Sequence, residues 1–182
     1  MTAVLSPDER RQLLAAARQA IEDTLAGKRI RPLPLEGAFG RRAGLFVSLH
    51  RHGDLRGCIG YPSSDEPLGA TIGECAVAAA TGDPRFPPVT PSELAELDIE
   101  ISVLTPIEPL TDPADFVIGR DGLVIDHQLR RGLLLPQVAT EYGWDRETFL
   151  SQLCAKAGLP RDAWQRGARL FRFEAEVFGE RE

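Results

Sequence analysis

The sequence is short of the side chains on which much familiar enzyme chemistry depends. Cysteine occurs three times, at Cys58, Cys75 and Cys154, and no two form a Cys-x-x-Cys pair. An odd, widely spaced set argues against a disulfide framework or a zinc site and fits a reducing compartment. Histidine also occurs three times, at His50, His52 and His127, so the choice of a base for a cysteine nucleophile is narrow. There is no Walker A loop, Gly-x-Gly-x-x-Gly, His-Glu-x-x-His or Gly-x-Ser-x-Gly. Phosphate-loop nucleotide binding, zincin chemistry and serine-hydrolase chemistry are therefore not expected, nor is a metal or cofactor. No apolar run approaches the roughly 20 residues that cross a bilayer. The chain opens on Ser6-Pro7-Asp8-Glu9 without a charged-then-apolar leader. The expectation is a cytoplasmic protein with no membrane contact.

What is present is an ordinary globular composition, 43% hydrophobic and 26% charged over 182 residues, enough for a single domain or two small lobes sharing a core. Lysine is confined to Lys28 and Lys156, so arginine carries nearly all the positive charge. The net charge of −6 hides an asymmetry, because residues 1–62 hold ten Lys/Arg against six Asp/Glu. Such a basic third suits an anionic substrate or a nucleic-acid phosphate if its charges share one surface, and a solvated surface if they do not.

Helix and strand signals alternate along the chain. Ser6, Pro7 and Glu9 make an N-terminal capping box, followed by the apolar face Leu13, Leu14, Ala17, Ile21 and Leu25. Lys28 to Gly40, with Pro32, Pro34, Gly37 and Gly40, reads as a long loop, either a flap or a packed connection. Gly44–His50 and Leu55–Tyr61 read as a hairpin about His52-Gly53, whose two-residue turn pairs Cys58 with Val47, Arg56 with Leu49 and His50 with Leu55. In that register His50 points away from Cys58. A helix from Pro67 to Thr81 follows, then a capping box at Thr90-Pro91-Ser92-Glu93 and an alternating strand from Leu97 to Val103. Phe116–Ile118 and Leu123–Ile125 read as a second hairpin about Asp121-Gly122. Leu133–Leu135 reads as a strand, Asp145 as the cap of a helix and Phe171–Val177 as the last strand. Hairpins separated by helices indicate an α+β protein with a largely antiparallel sheet flanked by helices.

The densest chemistry lies in Leu55-Arg56-Gly57-Cys58-Ile59-Gly60. Glycines beside a thiol open close approach to the backbone, and an arginine two residues away favours the thiolate. Cys58 has two readings, an activated nucleophile and a small residue buried in a strand. Arg56 likewise is a thiol partner or one half of a surface salt bridge with Asp54. The loop Asp83-Pro84-Arg85-Phe86-Pro87-Pro88 holds three prolines, which fix its backbone angles. It either presents Arg85 to an anion and Phe86 to a planar ligand or simply connects two elements. Cys75 and Cys154 fall on apolar helix faces. Glu74, Tyr61 and Glu100 are further acid–base possibilities that no spacing selects.

These two stretches, with Gly132-Leu133-Leu134-Leu135-Pro136-Gln137-Val138-Ala139, Gly143-Trp144-Asp145 and Leu153–Pro160, resemble the AMMECR1 domain family in its bacterial and archaeal form. The likeness runs over nearly the whole chain. It implies an α+β domain with a larger and a smaller lobe. The residues read together place a candidate site at Cys58 and Arg56, with Gly57, Gly60, Arg85 and Phe86 about the substrate. The resemblance also implies Memo-like and radical-SAM partners, as in the AmmeMemoRadiSam system. Three functional readings stand together. One is a thiol-dependent enzyme or enzyme component acting on a small anionic or nucleotide-like substrate. Another is a non-catalytic binding module using the same cleft. The third is an accessory to nucleic acid acting through the basic third.

Overall fold

The structure is a computed structural model and describes residues 4–181. Helix α1 (Pro7–Leu25) starts at the expected box, where Ser6 Oγ accepts from the Glu9 amide and the Glu9 carboxylate accepts from the Ser6 amide. It leads through the irregular segment after Gly27 to the hairpin β1 (Gly44–Arg51) and β2 (Asp54–Tyr61). Helix α2 (Leu68–Thr81) follows, then a 3-10 turn (Pro91–Glu96) and β3 (Leu97–Leu104). Beyond them come β4 (Glu108–Leu110), β5 (Asp121–His127), β6 (Arg130–Leu134), α3 (Pro136–Glu141), α4 (Arg146–Lys156) and β7 (Arg169–Gly179). The protein is α+β with antiparallel sheet, as the alternation of hairpins and helices indicates.

The chain divides into two compact units. The larger takes the chain up to Leu104 and again from Glu176. Its strands run β2-β1-β3, all antiparallel, and its C-terminal segment lies beside β3, with the Glu180 amide donating to Ile99 O. Leu45, Val47 and Leu49 of β1, with Ile99 and Ile101 of β3, turn one face of this sheet toward α1 and α2. Leu13, Ala17, Ile21, Ile72, Cys75 and Ala76 close the core from the helix side. Burying these side chains is worth roughly 1.5–3 kcal/mol for each large one.

The smaller unit, Thr105–Ala175, orders its strands β4-β7-β5-β6. Phe116, Leu123, Ile125, Phe149, Leu153 and Cys154 fill its core. Two expectations change here. Phe116–Ile118 is not a strand: Phe116 is a fully buried plug, and the Asp121 carboxylate accepts from the Val117 amide to shape a turn. Asp121 and Gly122 begin β5 rather than a turn, and β5 pairs with β6 across Gln128-Leu129, where Gln128 adopts φ +56°. The three-residue strand β4 carries too little pattern to be read from sequence. No helix among the described residues is long and apolar enough to cross a membrane.

Candidate functional site at the Cys58 strand

The β1–β2 hairpin sets where the cysteine faces. Beside the His52-Gly53 turn, His50 pairs with Leu55 as expected, but the register shifts between Leu49 and His50. Leu49 then meets Gly57 and Ser48 meets Cys58, leaving Arg56 as the additional residue of a bulge. The one-residue slip moves Cys58 from the Val47 face, where the simple turn put it, to the face of Ser48. His50, expected on the side away from Cys58, shares that face because β1 alternates through Phe46, Ser48 and His50.

The two glycines of the motif lie on opposite faces of β2. Gly57 now points at the helices, and a Cβ there would lie 2.1 Å from the carbonyl oxygen of Ala79 in α2. Gly60 sits opposite Phe46, where a Cβ would fall 2.0 Å from Leu45 O and 2.6 Å from the Phe46 ring. Both positions therefore have a packing reason to be glycine. Gly57 leaves room for α2 rather than for a ligand at the sulfur.

On the Cys58 face, Ser48 Oγ donates to Cys58 Sγ at 3.1 Å. Ser48 is buried while Cys58 is half-buried. Across β1, Ser48 pairs with Glu100 of β3 and His50 with Asp98. A thiol, a hydroxyl and a carboxylate therefore stand in one row across three strands, at the roughly 5 Å spacing of cross-strand neighbours. Ser48 was not singled out in the sequence, because only the bulge makes it a partner of Cys58. A cavity of about 310 Å³ on this unit is lined by His50, Asp98, Glu100 and Arg181, among others.

The free edge of β2 is closed by the proline loop. The Cys58 amide donates to Asp83 Oδ2 at 2.9 Å, and Arg85 Nη2 donates to Cys58 O at 3.4 Å. Arg85 Nε and Nη2 also hold both oxygens of Asp83, at 3.0 and 2.7 Å. An aspartate and an arginine thus supply what a neighbouring strand would, which blocks pairing at that edge. Asp83 is 4% exposed, and the Arg85 guanidinium, followed by the Cys58 and Arg85 amides, holds its carboxyl far below the usual range despite burial. Arg85 is itself raised, first by Asp83 and to a lesser extent by charge on Cys58. Its guanidinium lies 5.4 Å from the centre of the Phe86 ring and its side chain is half exposed.

Arg56 is committed elsewhere. Its Nε and Nη2 take the two oxygens of Glu93 at 3.0 and 3.2 Å, and Nη1 donates to Pro87 O at 2.8 Å. The clamp takes the place of the Asp54 salt bridge, the alternative to a thiol-partner role for Arg56. Glu93 also accepts from Arg51 and from the Thr90 amide and hydroxyl, and with Arg56 the first cause its carboxyl is lowered to about 2. Arg85 is a cation electrostatically coupled to Cys58.

Burial pushes the Cys75 thiol up to about 12 and raises that of Cys154, as their apolar helix faces imply. Several arginines of the basic third are spent on ion pairs: Arg10 with Glu176, Arg18 with Glu180, Arg31 with Asp23, and Arg51 and Arg56 with Glu93. His52 lies at the hairpin turn beside Glu96, and His127 ends β5 in the smaller unit. Among the described residues no cluster of histidine, cysteine and carboxylate side chains could hold a metal ion.

The fold and the Cys58 row define a two-unit α+β protein with a cysteine on an edge strand whose outer side is sealed by an Asp–Arg pair. A model of the AMMECR1 family matches residues 14–178, and the chain belongs to that family. It is 52% identical over 187 residues to a protein of Methanothermobacter thermautotrophicus, covering 98% of this chain and 97% of the other. It is 48% identical over 173 residues to Protein MJ0810 of Methanocaldococcus jannaschii, covering 90% and 86%. The crystal structure of the uncharacterized protein PH0010 from Pyrococcus horikoshii is similar over 97% of this chain and 93% of that one, with a TM-score of 0.92 and 40% identity.

Proposed function

We propose that this AMMECR1-family protein is a thiol-dependent enzyme or enzyme component centred on Cys58, acting on a small anionic or nucleotide-like substrate. The observation that carries the reading is the Ser48 hydroxyl donating to Cys58 Sγ at 3.1 Å, with Glu100 the cross-strand neighbour of Ser48. A hydroxyl donor favours a thiolate, and the Arg85 charge acts in the same direction. Cys58 is the nucleophile, and Ser48 orients its sulfur and stabilises the thiolate by donating to it. Arg85, whose side chain is half exposed, meets a substrate anion, with Phe86 beside it for a planar group. Arg56, Gly57 and Gly60 serve by position: the first clamps the loop and the glycines admit α2 and Phe46. The partners in this reading are the Memo-like and radical-SAM proteins that the resemblance implies.

The test is thiol alkylation of the native protein followed by mass spectrometry across pH, with Cys58→Ser as control. The expected outcome is rapid labelling of Cys58 that slows in both Ser48→Ala and Arg85→Ala. A Cys58 that labels only after unfolding refutes the proposal. The binding-module reading then leads.

A further inference from the structure

The segment after Gly27 does more than connect α1 to β1. Together with the facing sides of α1 and α2 it borders a cavity of about 300 Å³. Small residues border the space, Ala16 and Ala20 on α1 and Gly69 and Gly73 on α2. Ile30 and Leu33 form its apolar roof, and a Cβ on Gly73 would come within 3.0 Å of Ile30 Cγ2. Closed apolar cavities of about 150 Å³ admit benzene, so this one has room for a ring and a short arm.

Its polar wall is Asp23, 3% exposed. Gln19 Nε2 donates to Asp23 Oδ1 at 3.1 Å. Oδ2 is buried and accepts no hydrogen bond. Its charge partner is Arg31, whose Nε lies 3.2 Å away outside hydrogen-bond alignment, on a side chain two-thirds exposed. A buried carboxylate oxygen without a donor costs free energy that a ligand N–H would recover. Glu74 adds a second carboxylate to the lining, against the single guanidinium of Arg31.

We propose that this cavity is a binding site for a small organic cation, an ammonium or amidinium group on a short apolar body. The head donates to Asp23 Oδ2 and lies between Asp23 and Glu74. The body packs on Ala16, Ala20 and Leu33. Arg31 occupies the mouth and gives way to the ligand. This site is independent of the Cys58 chemistry and stands or falls separately.

Benzylamine is the probe, titrated by calorimetry and by ¹⁵N-resolved NMR, with benzyl alcohol and benzoate as the neutral and anionic controls. Benzylamine should bind at least about tenfold more tightly than benzyl alcohol, the ratio a charge-assisted hydrogen bond supplies, and benzoate should not bind. Asp23→Asn should remove the preference. Arg31→Ala, at an exposed side chain that the core does not need, should tighten benzylamine several-fold, because a competing cation has gone. Equal affinity for the amine and the alcohol would overturn the proposal. So would an Arg31→Ala protein that binds benzylamine no better than wild type, or no saturation in either by about 10 mM amine.

Discussion

Replacing Asp83 tests whether the edge closure at Cys58 holds the site together. Its carboxylate accepts from the Cys58 amide, the Arg85 amide and the Arg85 guanidinium, from a position 4% exposed. In Asp83→Ala the Cys58 N–H on an edge strand loses its acceptor, and an unmet buried donor costs about 1–3 kcal/mol. The Arg85 head is half exposed and recovers water, so its share is at most about 1 kcal/mol. The total is about 1–4 kcal/mol, which urea denaturation resolves. Hydrogen exchange gives the local readout, since the Cys58 amide should lose protection while the amides of α1 keep theirs. The pH dependence has a definite sign. The folded carboxyl is depressed below its unfolded value of about 3.9, so Asp83 stabilises the fold above about pH 4 and that contribution is lost as pH falls further. Asp83→Asn, which does not titrate, should show a shallower loss of stability on the acid side. A cost below about 0.5 kcal/mol, an unchanged Cys58 amide and an acid limb parallel to wild type would together refute the closure.

Glu93→Gln should lose about 2–3 kcal/mol at neutral pH, because its carboxyl falls from 4.5 to about 2 on the Arg56 and Thr90 contacts. That stability is present above about pH 4.5 and disappears toward pH 2, and a double-mutant cycle with Arg56→Ala should show coupling. Gly57→Ala should cost about 3 kcal/mol or more, since its Cβ meets the Ala79 carbonyl at 2.1 Å. Gly53→Ala, open in space but at φ +90°, should cost only about 1–2 kcal/mol by the same denaturation measurement. In a native labelling experiment near pH 8, Cys58 should react while Cys75 and Cys154 stay protected until unfolding, because both are buried and their thiols are raised.

Local rules carried far in this chain. The Ser6–Glu9 box, the Asp145 cap, the Thr90–Glu93 box and the helix faces with Cys75 and Cys154 are where the pattern of the residues places them. Each depends on contacts within about one helical turn, which adjacent residues settle among themselves. The hairpin about His52-Gly53 was legible for the same reason, down to the His50–Leu55 pair. The failures began where a choice was global. Phe116 has a strand-like neighbourhood, yet burial at the centre of the smaller core decided its conformation.

The candidate site divides along the same line. Its cysteine and its two arginines stood out as residue types in a motif, and the resemblance to the AMMECR1 family followed from motifs in order along the chain. Which face Cys58 occupies, that Ser48 touches it, that Asp83 and Arg85 replace a missing strand and that Arg56 belongs to Glu93 all follow from one bulge and the approach of a distant loop. A strand alternates with period two, so one extra residue reverses every side chain beyond it. That residue is fixed not by its neighbours in sequence but by the helix packed over Gly57 and the carboxylate waiting beside Arg56.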